Sequence, residues 1–249
     1  DCSEASHGFN TRHGGRPGVL TGANLANRYF LYLGVSGDCD SASIGLGQFA
    51  HAMRRNVNMV YIVENNGVYG LTKGQFSATA DKGSQSKKGV VNADSPVDLV
   101  GLAMQLGASF VARSFSGDKA QMVPLIKAAM GHGGAAFIDI ISPCVTFNNH
   151  AGSTRSYDWV REHNEAVSRI DFITGRDEIT ATIQPGDVVD VEQHDGTTLR
   201  LRKLHTDYDP TDRVVAMSYM HARAAEGELL TGLLYVEGEA GDLHTALNT

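Results

Sequence analysis

The sequence predicts an α/β fold built around a parallel sheet, and three observations carry the prediction. Short apolar runs alternate with stretches of helical periodicity, turn residues punctuate them, and the helical stretches have the length of crossover connections. The first apolar run, 29–36 (YFLYLGVS), leads into Gly37-Asp38 and reads as a buried strand entering a tight turn. Residues 41–56 then place Ile44, Phe49, Ala52 and Met53 at helical spacing. A second strand is expected over 58–63, followed by the turn Asn65-Asn66-Gly67. Segment 96–107 reads as helix, 109–113 as extended chain, 118–132 as an amphipathic helix and 135–141 (AAFIDII) as a further apolar strand. Such βαβ units wind into a three-layer, parallel-sheet domain whose ligands bind at the carboxyl ends of the strands.

Two stretches have a different texture. Segment 76–91 (FSATADKGSQSKKGVV) is polar, rich in Gly and Ser, and long for a plain connection, which marks a functional or disordered loop. After Ile170, Pro185-Gly186 opens a β-rich segment in which His194-Asp195-Gly196 sits between VVDVEQ and TTLRLRKL, a hairpin signal. A helix from about Asp212 and a last apolar run over 229–236 close the chain. The expected division is a main domain over 1–170 and a small β-rich C-terminal extension over 171–249. The sequence contains no internal repeat and no low-complexity tract.

At 249 residues the chain can bury roughly 70% or more of its unfolded surface. Hydrophobic residues at 42% and charged residues at 20% are an ordinary globular balance. A net charge of −7 argues against nucleic acid as a partner, because phosphate binding needs a basic surface. No apolar run approaches the roughly 20 residues of a membrane span, and no signal peptide precedes the first motif, so neither membrane insertion nor export is expected. Three cysteines (Cys2, Cys39, Cys144) scattered over this length do not make a disulfide framework, which fits the cytoplasm.

The chemistry concentrates in two turns joined by one helix and one strand. Gly37-Asp38-Cys39 follows the first strand and Asn65-Asn66 the second, with 25 residues (40–64) between them. Each turn stands at a strand's carboxyl end, so both face one crevice. Mg²⁺ takes six oxygens in near-octahedral order, usually a few from protein and the rest from phosphate and water. Asp38 offers a carboxylate, Asn66 an amide oxygen and Val68 its main-chain carbonyl. The helix beginning just after Asp38 offers free N–H groups to an anionic diphosphate. Taken singly, Gly-Asp and Asn-Asn-Gly are everyday turns; the order strand, turn, helix, strand, turn makes the pair informative.

The pair resembles the thiamine-diphosphate motif, Gly-Asp-Gly followed at this spacing by Asn-Asn. The surrounding SGDCDSASIGLGQFAHAMRRNVNMVYIVENNGVYGLTKGQFSATA resembles the core of 2-oxoacid:ferredoxin oxidoreductase β subunits, above all in its Tyr-Gly-Leu-Thr-Lys-Gly-Gln run. The likeness continues through FVARSFSGDK, ISPCVTFNNH and REHNEAV and so covers about 8–170, while the later extension resembles that of 2-oxoglutarate-type members. The resemblance implies that Asp38, Asn66 and the Val68 carbonyl hold Mg²⁺, that Gly37, Cys39, Ile44 and Gly45 line the diphosphate site, and that His13-Gly14 lies beside the cofactor. It also implies oxidative decarboxylation of a 2-oxoacid to its acyl-CoA, or the reverse carboxylation, with coenzyme A and ferredoxin as partners. On the same resemblance the Glu that activates the cofactor's aminopyrimidine is expected from a partner α subunit, so no catalytic residue is nominated in this chain. Two positions depart from the pattern. Cys39 replaces the motif's third Gly, tolerable where φ stays negative and expected to be a packed, inert thiol. Gly15 stands where an Arg follows His-Gly in such chains, which leaves the role of Arg16 open.

The family's [4Fe-4S] cluster takes four thiolates. Cys2-Ser3 and Pro143-Cys144 match two of the ligand segments, and an upstream Cys-x-x-Cys is absent, so an N-terminal segment is expected to be missing or the cluster lost. Taken alone, Cys144 reads as a buried structural thiol. Lys73, on a loop seven residues after Asn66, is the expected partner of the distal carboxylate of 2-oxoglutarate; a solvent-facing loop lysine is the ordinary alternative. Three other readings stay open: a pyruvate-specific member of the family, a non-redox thiamine-dependent decarboxylase or synthase, and a non-catalytic assembly subunit that kept the fold.

Overall fold

The structure, a computed structural model, describes residues 7–86, 88–168, 188–192, 198–202, 208–238 and 241–247. Its elements, in chain order, are α1 (Arg16–Ala26), β1 (Leu33–Gly37), a π-helical turn (Cys39–Ile44), α2 (Leu46–Arg54), β2 (Met59–Asn65), β3 (Val68–Tyr69) and β4 (Gln75–Phe76). There follow α3 (Leu99–Leu106), β5 (Phe110–Phe115), α4 (Lys119–Gly131), β6 (Ala135–Ile141), α5 (Tyr157–His163) and β7 (Asn164–Ala166). The last are β8 (Val188–Glu192), β9 (Thr198–Arg202), α6 (Arg213–Ala225), β10 (Leu229–Val236) and α7 (Leu243–Leu247).

Six strands form one sheet in the order β1-β2-β6-β5-β10-β7. The β1, β2, β6 and β5 strands are parallel, as expected, and β2 and β6 are buried almost throughout because helices cover both faces. One side packs Phe49, Met53, Tyr61, Met104, Phe137 and Leu234 between the sheet and α2, α3 and α6. The other packs Val60, Ile62 and Ile138 against Leu125 and Ala129 of α4. This is the expected three-layer architecture. Each fully buried side chain of this size contributes roughly 1.5–3 kcal/mol. Phe49 carries particular weight, since its ring meets Phe137 edge-on at 5.0 Å and ties α2 to the sheet.

Three expectations need correction. The sheet is not wholly parallel, because β10 runs antiparallel to β5, an added strand of the kind common on doubly wound sheets. The helix expected over 41–56 is broken: a π-helical turn precedes α2, and Gly45 marks the junction. The chain passes closely at this junction, and only glycine fits, since a Cβ on Gly45 would fall 2.7 Å from both the Asp40 carbonyl oxygen and the Gly14 Cα. The first strand begins at Leu33 and not at residue 29, leaving Tyr29 83% exposed. Beyond residue 170, β8 and β9 pair antiparallel from Val188↔Arg202 to Glu192↔Thr198, the expected hairpin, whose His194-Asp195-Gly196 turn lies outside the described residues. By contrast, α6 and β10 join the main sheet, and Tyr208, Ala216, Met220 and Leu230 enter its core, so that core draws on both sides of the 170/171 division.

Candidate functional site

β1 and β2 are adjacent and parallel, which brings the turns at their carboxyl ends together. The Gly67 N–H donates to Asp38 Oδ2 at 3.0 Å, so the Asp38 turn and the 65–68 turn meet directly. Gly67 takes φ +74, a conformation that favours glycine. Asn66 Oδ1 accepts the Val68 N–H at 2.9 Å, an Asx turn that fixes the amide side chain over this turn. Asn148 Nδ2 donates to the Asn66 carbonyl at 2.7 Å and braces this turn from the 144–148 segment.

Asp38 is 1% exposed, and its two carboxylate oxygens are treated differently. Oδ2 accepts from Gly67 N–H, from the Ser77 hydroxyl and from the Thr79 hydroxyl at 2.6 Å. Oδ1 is equally buried and has no hydrogen-bond partner among the described residues. A carboxylate buried with one bare oxygen suits a cation, because desolvating a charge without a partner costs on the order of several kcal/mol. A hard cation fits the donor set, which is all oxygen: Asp38 Oδ1, Asn66 Oδ1 and the Val68 carbonyl. Ser77 and Thr79 escaped the sequence reading. Their signal was the unusual 76–91 loop, whose first residues turn under Asp38 and whose remainder folds back on itself through Asn92, which donates to the carbonyls of Ala80 and Asp81.

The second half of the site is the anchorage of the π-helical turn. Asp40 is buried; its Oδ1 accepts from His13 Nδ1 and from the Gly14 N–H, each at 2.8 Å, and its Oδ2 accepts from the Ser36 hydroxyl at 2.9 Å and from the Arg16 guanidinium. Burial pulls the Asp40 carboxyl upward, but the bonds from Gly14, Ser36 and His13 and the Arg16 charge outweigh it and hold the group below the usual range. Arg16, whose role the sequence left open, is therefore a pin for this turn. Gly14 packs on Gly45, and Ile44 beside it is 55% exposed, so the expected diphosphate contacts His13, Gly14, Ile44 and Gly45 are contiguous. Gly37 has open space where a Cβ would be. Because a carboxylate only accepts, His13 Nδ1 carries the proton and Nε2 points away from Asp40, with the side chain 80% exposed.

Cys39 keeps a negative φ, as its replacement of glycine requires, and burial together with the Asp38 charge pushes its thiol up to about 12. It is a packed neutral thiol. Cys144 is a half-buried free thiol beside the β3–β4 hairpin, 3.7 Å from where a Cβ on Gly70 would lie. Cys2 lies outside the described residues, and no group of three or more metal-binding side chains occurs among those described. Lys73 sits exposed at the tip of the β3–β4 hairpin with φ +80, and Lys73 and Asn56 are the non-glycine residues of positive φ among the described residues. It makes no ion pair among them.

Behind the Asp38 turn lies a cavity of about 580 Å³ lined in part by Asn65, Thr79, Asp98, Arg113, Asp139 and Arg155. Asp139 is fully buried; it accepts from Asn65 Nδ2 and from Arg113 Nε, each at 3.1 Å, and Arg113 reaches on to Asp98 at 3.1 Å. No helix among the described residues is long and apolar enough to cross a membrane.

Comparison with known proteins bears on this geometry. The family described as thiamine pyrophosphate enzyme, C-terminal TPP binding domain, matches residues 3–140. The chain is 38% identical over 145 residues to the 2-oxoglutarate oxidoreductase subunit KorB of Mycobacterium tuberculosis, covering 58% of this chain and 39% of that one. It is 42% identical over 143 residues to the 2-oxoacid:ferredoxin oxidoreductase subunit beta of a Sulfolobus species, covering 57% and 47%. The 2-oxoglutarate synthase subunit KorB of Methanothermobacter thermautotrophicus is 36% identical over 162 residues, covering 62% and 57%. The chain thus spans about half the length of these relatives. Among solved structures, the 2-oxoglutarate:ferredoxin oxidoreductase of Magnetococcus marinus with 2-oxoglutarate, coenzyme A and succinyl-CoA bound superposes with a TM-score of 0.71 at 30% identity, covering 95% of this chain and 66% of that one. The expected likeness to these β subunits is borne out.

Proposed function

We propose that this chain, which belongs to the thiamine pyrophosphate enzymes through their C-terminal TPP-binding domain, is the cofactor-binding β subunit of a 2-oxoglutarate:ferredoxin oxidoreductase. The observation that carries the proposal is the Asp38 carboxylate, with one oxygen saturated by donors and the other buried and bare beside the Asn66 turn. In this reading Mg²⁺ takes Asp38 Oδ1, Asn66 Oδ1 and the Val68 carbonyl. His13, Gly14, Gly37, Ile44 and Gly45 hold the diphosphate, with Cys39 a neutral neighbour. These residues would hold thiamine diphosphate, which when bound would supply the electron sink for decarboxylating a 2-oxoacid. The chain's own residues bind and orient: Ser77, Thr79 and Gly67 fix the carboxylate, Arg16 and Asp40 fix the turn, and the buried Val68 and Thr79 keep water from the ion.

Lys73 is the proposed partner of the substrate's distal carboxylate. Its support is a place on a hairpin tip next to the metal turn and a backbone conformation that a lysine adopts at a cost. An α subunit would give the activating Glu, and ferredoxin and coenzyme A would be the redox and acyl partners in the cytoplasm. Cys144 and Cys2 are the proposed cluster ligands of this chain. Three cysteines do not complete a [4Fe-4S] cluster, so the residues present do not hold one by themselves and no electron-transfer step is derived through it.

The test is turnover by this chain co-expressed with its α partner. The expected result is reduction of ferredoxin that requires 2-oxoglutarate, coenzyme A and thiamine diphosphate together, with far slower decarboxylation by the isolated chain. Decarboxylation without ferredoxin reduction, in a complex free of iron, would establish the non-redox reading instead. An isolated chain as fast as the complex would remove the need for an α subunit.

A further inference from the structure

The buried polar row behind Asp38 makes no contact that a cation or diphosphate needs, yet it ends on the metal carboxylate. Asp139 is 1% exposed and stands opposite Arg113 in the β5–β6 register. Its Oδ2 is taken by Arg113 Nε and its Oδ1 by Asn65 Nδ2. An amide side chain can be turned either way, but a carboxylate only accepts, so Asp139 forces Asn65 to direct Nδ2 toward it. The opposite atom, Asn65 Oδ1, then lies 3.0 Å from the Thr79 hydroxyl. That hydroxyl has one proton and three oxygens within reach: Asn65 Oδ1, Asp38 Oδ2 at 2.6 Å on its other side, and Ser77 Oγ at 2.8 Å, which already accepts the Thr79 N–H.

With no cation present, the full charge of Asp38 draws the Thr79 proton. A divalent cation on Asp38 Oδ1 withdraws charge from the carboxylate and weakens it as an acceptor, and the neutral Asn65 oxygen then competes. We propose that Asp139 is a positioning residue for the cation: through Asn65 it keeps an acceptor open to the Thr79 proton, so that Asp38 yields that hydrogen bond when the metal binds. This rests on Asp38 being a metal ligand, as read above.

The substitution Asp139→Asn probes the idea at almost constant volume. Arg113 can only donate, so it claims the oxygen of the new amide and turns the NH₂ toward Asn65. Asn65 must then invert and present Nδ2 to Thr79, leaving Asp38 and the already engaged Ser77 Oγ as the oxygens open to the Thr79 proton. Asn65→Leu removes the amide oxygen outright and has the same expected effect. The measurement is the Mg²⁺ Kd of the assembled αβ complex at saturating thiamine diphosphate, beside the melting temperature of the complex free of metal and cofactor. Both variants should raise the Mg²⁺ Kd by about tenfold or more, the usual range for partners of metal ligands being roughly 10–100-fold. A melting temperature that falls while the Mg²⁺ Kd stays at the wild-type value in either variant overturns the proposal, because Asp139 is then holding the sheet alone. Should Asp139→Asn fail to assemble, Asn65→Leu decides the matter by the same criterion. Cofactor binding by the wild-type complex that ignores Mg²⁺ would instead refute the metal reading of Asp38, and the proposal with it.

Discussion

The Asp38 turn and the Lys73 hairpin tip are built in opposite ways. Asp38 is 1% exposed and one of its oxygens receives three donors from two different loops, so its position is fixed before any ligand arrives. Lys73 is exposed and is defined by its main chain alone, in a φ of +80 stabilised by the Gly74 N–H donating to the Tyr69 carbonyl at 2.7 Å. The difference separates two tasks. Holding a cation demands preorganised side chains, whereas meeting a substrate's charge needs a long flexible side chain launched from a defined point. Cofactor binding should therefore depend on the first region and substrate choice on the second.

The largest expected effect tests the first half of that contrast. Asp38→Ala removes the carboxylate proposed to hold the cation and takes from the hydroxyls of Ser77 and Thr79 their shared acceptor. A broken buried charge pair costs about 3–5 kcal/mol, so at about 1.4 kcal/mol per tenfold Mg²⁺-dependent thiamine diphosphate binding should weaken by roughly 100-fold or more in calorimetric titration. Unchanged cofactor occupancy would disprove the assignment. Next comes Lys73→Ala. Loss of one member of a desolvated charge pair costs about 2–5 kcal/mol, so kcat/KM for 2-oxoglutarate should fall at least about 25-fold. The value for pyruvate, which lacks the distal carboxylate, should hold or rise. If cofactor affinity fell with it, the contrast between the two regions would collapse.

Smaller effects sharpen the comparison. Gly45→Ala drives a Cβ into backbone on two sides, and overpacking of that kind costs about 1–3 kcal/mol. It should lower the melting temperature by roughly 2–4 °C per kcal/mol and weaken diphosphate binding without altering the 2-oxoglutarate to pyruvate ratio. Smallest of all, Lys73→Gly should be more stable than Lys73→Ala. A left-handed conformation costs a side-chain-bearing residue about 1–2 kcal/mol, and the entropy of glycine takes back about 0.5–1 kcal/mol. A net gain of about 0.5–1 kcal/mol in denaturant titration would separate the backbone of residue 73 from its ammonium group.

Much of the framework was legible because apolar runs carry their own signal. The strands at 33–37, 59–65 and 135–141 and the turns after the first two follow from hydrophobicity and turn residues alone. What was hidden depended on contacts far along the chain. α1 escaped notice although Pro17 stands in its first turn, because Gly and Asn dilute its pattern. The short α5 and β7 have no periodicity to read, and β7 exists because β10 lies beside it. The need for glycine at the Gly45 break comes in part from Gly14, 31 positions away (45 − 14), whose backbone leaves no room for a Cβ there. In the site, Asp38 and Asn66 were visible through their spacing. Ser77 and Thr79 were not, since a Ser-x-Thr in a polar loop looks like any other until the carboxylate it serves is next to it.

Cys39 has a consequence for the way the protein can be counted and handled. A thiol held up near 12 stays protonated at pH 8, where an ordinary cysteine already has an appreciable thiolate fraction. Alkylating reagents should pass it by in the native state, so titration of native thiols would return a smaller number than titration in denaturant. The same shift has a sign in pH. Because the folded value lies above the ordinary value of 9.0, the contribution of Cys39 to stability is fully present below pH 9 and is lost as pH climbs toward 12. Air and mild oxidants should likewise find other sulfurs first, leaving the floor of the metal turn chemically silent while the rest of the molecule ages.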